Sequence, residues 1–232
     1  MTDATPEPTR VRTMFARIVA RYDLMNRLMT FGRDGAWRRA TVAAVAPTAG
    51  ARVLDVGCGT GDLTRELARR GVRLAVGLDP VEAMLDAAAA KLARTGGAAA
   101  LVQGDGLRLP FPDTTFECVV SAFVMRNVPD VPAALREARR VLRPGGRIGI
   151  LELTPLQTPL LAALFRLYFH RVVPLVGGLV AGDRAAYAYL PASVDRFPSA
   201  DRLAAMLDRA GFGKVRYRRF MLGTVALHVA ER

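Results

Sequence analysis

The stretch Val53-Leu54-Asp55-Val56-Gly57-Cys58-Gly59-Thr60-Gly61-Asp62 constrains the fold more than any other part of this chain. An apolar run passes straight into glycines at alternate positions, and a helical pattern begins at once. Such a strand–turn–helix passage opens a β–α unit. Glycine removes the Cβ atoms that would hold a ligand off the backbone. The carboxyl end of a strand in an open α/β sheet is also where such folds bind ligands.

From Arg52 onward, short apolar runs alternate with helical patterns, the signature of β–α units around a parallel sheet. Strands are expected at Arg52–Val56, Leu74–Leu78, Ala99–Gln103, Phe116–Ser121 and Arg147–Leu153. Helices are expected near Asp62–Arg70, Val81–Arg94 and Pro132–Leu142, the last stopped by Arg143-Pro144-Gly145-Gly146. Ser199–Ala210 reads as a further helix. Two final strands, near Val215–Arg219 and Thr224–Ala230, have too short a link for a helical crossover and should pair antiparallel. Before the sheet, residues 10–22 place Val11, Met14, Phe15, Ile18, Val19 and Tyr22 on one helical face, and Trp37–Ala46 forms a second short helix.

The expected fold is therefore α/β: a Rossmann-like seven-stranded sheet, mostly parallel with an antiparallel last strand. It carries an N-terminal helical cap and a helical insert after strand five. With 232 residues this is one domain. Residues 1–50 form the cap, 51–153 the cofactor-binding core, 154–198 the insert, and 199–232 the last helix and strands.

Composition narrows the function classes. No window reaches the roughly 18 uninterrupted apolar residues of a membrane span, and Met1–Arg12 lacks a signal-peptide core, so a cytoplasmic location is expected. Cys58 and Cys118 are the only cysteines, with neither disulfide nor metal-site spacing, so no metal is expected. The net charge of +12 admits a nucleic-acid or anionic-membrane partner. Against nucleic acid, the arginines are dispersed, Ser121-Ala122-Phe123-Val124 holds no amino-methylation motif, and no separate nucleic-acid module is visible.

A glycine turn alone also fits dinucleotide enzymes, but their fingerprint asks for a third glycine where Asp62 stands. Asp55 and Asp62 beside Gly57 and Gly59 suit a cationic amino-acid tail better than a pyrophosphate, which favours S-adenosyl-L-methionine as cofactor. Asp79, ending the second strand, can accept from both ribose hydroxyls; its rival role is a helix N-cap. Asp105, in Gly104-Asp105-Gly106 after the third strand, can accept from an adenine amine; its rival role is a plain turn.

With these residues in place the chain resembles the ubiquinone/menaquinone biosynthesis C-methyltransferases. The resemblance runs through Tyr22-Asp23-Leu24-Met25-Asn26, Phe31-Gly32, Leu109-Pro110-Phe111-Pro112-Asp113, Arg126-Asn127-Val128, Gly182-Asp183, Ala186-Tyr187 and Tyr189-Leu190. It implies C-methylation of a polyprenylated quinol, demethylmenaquinol or a demethyl-ubiquinol-type precursor. It also puts Thr60, Asp79, Asp105, Gly106 and Ala122 on the family's cofactor positions. The chain departs from the family at Val124, where a small residue is usual, at Glu152-Leu153-Thr154, and at Leu222-Gly223-Thr224. These departures keep open an alternative, a soluble aromatic or polyketide acceptor.

Methylating an aromatic carbon needs an electron-rich ring, and a phenol of pKa about 10 must be helped to lose its proton. Arg126 is the candidate catalytic residue, as a fixed cation beside a developing phenolate; its rival role is capping a loop. Tyr22, Asp23 and Asn26 are the candidate substrate-binding residues of the cap, against simple helix-end packing. His170 and His228 are candidate proton acceptors, against structural roles. The apolar stretch Thr158–Val180 suits a polyprenyl tail and a peripheral contact with the inner face of the membrane. Core packing or a homodimer interface explains it equally.

Overall fold

The computed structural model describes residues 7–156, 162, 165, 167–181 and 183–232. Thr158, Leu160, Leu161, Leu164 and Arg166 of the apolar insert, and Gly182, lie outside the described residues.

Seven strands form one sheet in the order β3-β2-β1-β4-β5-β7-β6. They are β1 Arg52–Val56, β2 Leu74–Asp79, β3 Ala99–Gln103, β4 Phe116–Ala122, β5 Leu142–Leu153, β6 Gly213–Phe220 and β7 Val225–Glu231. β1 lies parallel to both β2 and β4, and β4 to β5, whereas β7 runs antiparallel between β5 and β6. The strand order reverses direction at β1, which leaves a crevice beyond its carboxyl end.

The central strands β1, β2 and β4 are nearly continuous apolar runs because both faces are covered. Neighbouring residues point to opposite layers. Leu54, Val76 and Val119 pack with α5 (Val131–Val141) and α8 (Ala200–Arg209). Val53, Ala75 and Val120 pack with α2 (Asp34–Val45) and α3 (Asp62–Arg69). The remaining core helix is α4, Glu82–Leu92.

β5 begins at Leu142, not at Arg147 as its breaker-like sequence suggests. The Arg143-Pro144-Gly145-Gly146 segment ends α5 as expected, yet the chain runs on extended. Gly145 N–H donates to Arg232 O, and Arg232 N–H to Gly146 O (both 2.9 Å).

The cap differs more. Helix α1 spans Pro8–Met29, one and a half turns or more beyond the expected end at Tyr22. Ile18, Tyr22, Met25 and Met29 keep the helical spacing, and all four pack into a third apolar cluster. Its other members come from the insert: Phe169 in a π-helical turn Tyr168–Val172, Val173 in α6 (Val173–Ala181), and Tyr187 and Val194 in α7 (Arg184–Arg196). Cap and insert thus share one small core, set above the carboxyl ends of the central strands.

Candidate active site

The turn after β1 is held by backbone hydrogen bonds: Gly57 N–H and Cys58 N–H both donate to Leu78 O of β2 (2.7 and 2.9 Å). Gly57 has φ +71°, and a Cβ there would lie 2.5 Å from the methyl carbons of Val124. Gly59 also has positive φ (+53°), and its N–H donates to Asp79 Oδ2 at 2.9 Å. Asp79 Oδ1 accepts from Val81 N–H (2.9 Å), so this carboxylate caps the approach to α4 and lines the crevice at once. Burial raises the Asp79 pKa, opposed by these two N–H donors and by the charge of Arg12.

The crevice holds about 960 Å³ of empty space, its open mouth included. Gly57, Gly59, Asp79, Asp105 and Gly106 line it, at the ends of three consecutive strands. Leu78, Val81, Met84 and Leu107 supply apolar walls. Asp105 accepts from Leu107 N–H (2.9 Å) and from Arg12 Nη2 of α1 (2.7 Å). Carboxylates beside flat apolar walls and an open backbone fit a nucleoside carrying hydroxyl donors and a cationic tail. Val11, Phe15 and Tyr22 of α1 roof the crevice.

Three expected cofactor residues do not face it. Asp55 is buried and accepts from Thr64 Oγ1 at 2.6 Å, which ties β1 to α3 beneath the turn. Burial raises its pKa to about 6 against the hydrogen bond from Thr64. Thr60 Oγ1 donates to Asp23 Oδ1 (2.6 Å) and accepts from Lys91 Nζ (3.1 Å). Ala122 is buried at the end of β4, and its successors Phe123 and Val124 do the lining.

Lys91 was not foreseen. Its ammonium also reaches Asp23 Oδ2 (2.8 Å) and Asp62 Oδ1 (2.7 Å), joining α1, α3 and α4. Burial works to raise Asp62, but the hydrogen bond and charge of Lys91 outweigh it and hold the carboxyl low. Asp23 therefore clasps the cap onto the core instead of meeting an acceptor.

Beyond Phe123 a second cavity opens, of about 600 Å³. Its walls are mostly apolar, with Trp37, Phe123, Leu153, Phe165 and Phe169 prominent, and Asn26 and Arg126 among its polar members. Tyr22 and Asn127 border both the crevice and the smaller space between the cavities. Phe123 stands between the two, in edge contact with Trp37 (centroids 6.5 Å apart) and under the Arg38 guanidinium (5.4 Å).

Arg126 sits on the short 3-10 turn Met125–Asn127 that follows β4. Its Nη1 donates to Phe123 O and to Glu152 Oε1, both at 2.6 Å, while its backbone N–H donates to Glu152 Oε2 at 3.2 Å. Leu153 N–H donates to Glu152 Oε1 as well (2.8 Å). The side chains of Arg126 and Glu152 are 6% and 0% exposed, so this is a buried ion pair. Arg126 Nε is buried with no hydrogen-bond partner. Both readings of Arg126 thus have a physical basis: it braces a loop, and it keeps a donor in hand. The sequence does not reveal the partner of Glu152: Arg126 lies 26 positions away and meets it only when β5 lies beside β4.

The histidines stand elsewhere. His228 is fully buried on β7 with Nε2 2.8 Å from Ala200 O, and burial lowers its pKa. His170 pairs with exposed Asp195 (2.8 Å). Neither lines the second cavity.

Residues 2–232 match the ubiE/COQ5 methyltransferase family. The chain belongs to that family. It is 44% identical to a demethylmenaquinone methyltransferase of Deinococcus radiodurans, over 96% of this chain and 92% of that protein. It is 42% identical to the ubiquinone/menaquinone biosynthesis C-methyltransferase UbiE of Paracoccus denitrificans, over 94% of this chain and 88% of that one. A SAM-dependent methyltransferase of Thermotoga maritima shares the fold (TM-score 0.67, 18% identity, 94% of this chain and 98% of that chain). The ubiE/COQ5 chain described here is accordingly a methyltransferase.

Proposed function

We propose that this ubiE/COQ5 methyltransferase transfers a methyl group from S-adenosylmethionine to a ring carbon of a polyprenylated hydroquinone. The substrates named for its relatives suggest a demethylmenaquinol or a demethyl-ubiquinol-type acceptor. The observation that carries this reading is an arginine with an unpaired Nε in an apolar, aromatic-walled cavity next to a nucleoside-sized crevice. Such a cavity suits a ring with oxygen substituents and a hydrocarbon tail.

The cofactor supplies an electrophilic methyl on a sulfonium. Gly57 and Gly59 let its amino-acid portion approach the backbone. Asp79 would accept from the ribose hydroxyls, and Asp105 with Gly106 would meet the adenine edge.

On the acceptor side, Arg126 places a fixed positive charge where the quinol hydroxyl loses its proton. With the phenolate so held, the adjacent ring carbon would form the new C–CH3 bond as the cofactor's S–CH3 bond breaks and its thioether leaves. The ring carbon's proton would then restore the hydroxyl, so that one proton in all passes to solvent. Glu152 keeps the guanidinium in register, because its carboxylate accepts from both Nη1 and the backbone N–H of Arg126. A guanidinium does not give up its own proton at neutral pH, so Arg126 acts as a charge and not as the base. Phe123 and Tyr22 flank the passage between the cavities, which narrows the route by which water could reach the transfer.

The test is direct. Purified protein is incubated with methyl-labelled S-adenosylmethionine and reduced demethylmenaquinone or a short-chain demethyl-ubiquinol in detergent. Label on a ring carbon in the organic phase is the expected result. Cofactor-binding protein that labels neither quinol, yet labels a soluble phenol, would overturn the acceptor assignment.

A further inference from the structure

Two of the most exposed large apolar side chains in the described structure share an unusual backbone. Phe31 is 69% exposed with φ +52°, and Leu222 is 81% exposed with φ +58°. Bulky residues without glycine's freedom rarely take this conformation, and strain of this kind collects where a segment is held for use. Water gives neither side chain a reason to stand out.

Both tips adjoin the mouth of the second cavity in the chain. Phe31 follows Met29 and Thr30, and Leu222 follows Met221, all three of which line that cavity. Exposed Leu167 precedes a fourth lining residue, Tyr168. Along α1, exposed Leu24 and Leu28 continue the apolar stripe at helical spacing toward Phe31.

The charges around this rim have one sign. Arg27 lies on the same face of α1 as Leu24 and Leu28, Arg33 follows Phe31, and Arg171 follows Leu167 in the insert; all three are exposed. Among the described residues none of these three arginines has an ion-pair partner. The nearby acids are taken: Asp23 by Lys91 (2.8 Å) and Asp34 by Arg38 (3.8 Å).

We propose that this rim, centred on Phe31 and Leu222, docks on an anionic phospholipid surface. Apolar tips enter the acyl boundary while the arginines meet phosphate headgroups. No helix of the described residues is long and apolar enough to cross a membrane, so the contact is peripheral. The proposal rests on the lipid-soluble acceptor only for its purpose: the docked mouth would open the second cavity toward the bilayer.

Flotation of the full chain with vesicles, without cofactor or acceptor, tests it. The wild type should float with phosphatidylcholine vesicles containing about one-third phosphatidylglycerol and much less with phosphatidylcholine alone, and added salt should weaken the binding. The double variant Phe31→Asn/Leu222→Asn should lower partitioning by about tenfold for each side chain removed. Asparagine tolerates positive φ, so the variant should melt no lower than the wild type and methylate a soluble, tail-less hydroquinone at an unchanged rate. That last readout keeps failure of docking apart from failure of the acceptor assignment. Wild-type protein that ignores anionic vesicles, or a variant that floats as well as the wild type, would overturn the proposal. So would a concentration-dependent dimer, lost in the variant, from protein that binds no vesicle; the rim would then be a protein interface.

Discussion

On one side of Phe123 a glycine turn and short carboxylates form a floor beneath apolar side chains; on the other, side chains drawn from all along the chain supply the polar groups as well as the walls. The crevice beyond β1 is lined by Gly57, Gly59 and Gly106 and by two short carboxylates pinned by main-chain N–H groups. Three adjacent parallel strands set their positions. The second cavity takes Asn26 from α1, Trp37 from α2, Arg126 from the turn after β4, Phe169 from the insert and Met221 from the turn before β7. Its chemistry hangs on one ion pair, Arg126–Glu152, that forms only when β4 and β5 lie side by side. A half floored by backbone tolerates drift in most side chains. A half built from side chains changes shape with each one, as Val124 against Gly57 illustrates at the boundary.

The comparison breaks most readily at Gly57. Gly57→Ala adds a Cβ into Val124 at a backbone angle that alanine resists, at a cost of about 2–4 kcal/mol. Cofactor affinity should fall at least about a hundredfold, read by calorimetric titration, and the melting temperature should fall with it. A milder loss would mean the turn yields, and that the crevice is less rigid than its hydrogen bonds imply.

Asp55 sharpens the view from beneath the turn. Its carboxyl holds its proton more tightly folded (about 6) than unfolded (about 4). Native protein therefore binds more protons between those values, and this group's contribution falls as pH rises through the window. Above it the cost of the charged form is on the order of 3 kcal/mol. Asp55→Asn should flatten that part of the stability curve, so that denaturant melts show the variant gaining on the wild type from about pH 4 to about pH 6. A parallel pair of curves would remove burial as the controlling force at Asp55.

Asp79→Asn probes the crevice alone and should have the smallest effect of the three. Asparagine can accept from one of the two N–H donors, Gly59 or Val81, but not from both with equal strength. Cofactor affinity should drop by about 1.5–3 kcal/mol, while turnover at saturating cofactor changes little. A loss confined to turnover would place Asp79 in the chemistry and blur the division at Phe123.

The sequence conveyed the two halves unequally, for the same reason. Strands buried on both faces, with glycines alternating at their ends, carry their pattern locally, so the sheet, the β1 turn, Asp79 and Asp105 could be read before the fold was seen. Asp55 and Thr60 belong to the same motif, but which neighbour a short polar side chain chooses is decided by packing; they turn to Thr64 and to Asp23. Lys91 and Glu152 were invisible because their partners lie far off in sequence. The cap helix runs on past Tyr22 to Met29 because Met25 and Met29 find a core only against the insert, while Leu24 and Leu28 of the same turns stay exposed.

In the proposed mechanism Arg126 serves the acceptor and not the cofactor. Arg126→Lys keeps a positive charge beside Glu152, avoiding the loss of about 3–5 kcal/mol expected when a buried carboxylate is stranded. It gives up the planar fork and the free Nε. The decisive measurement is turnover with a reduced demethylquinone, taken beside cofactor affinity on the same folded variant. Turnover down about a hundredfold, with cofactor affinity unchanged, is the predicted result. Full turnover, or a parallel loss of cofactor affinity, would contradict it.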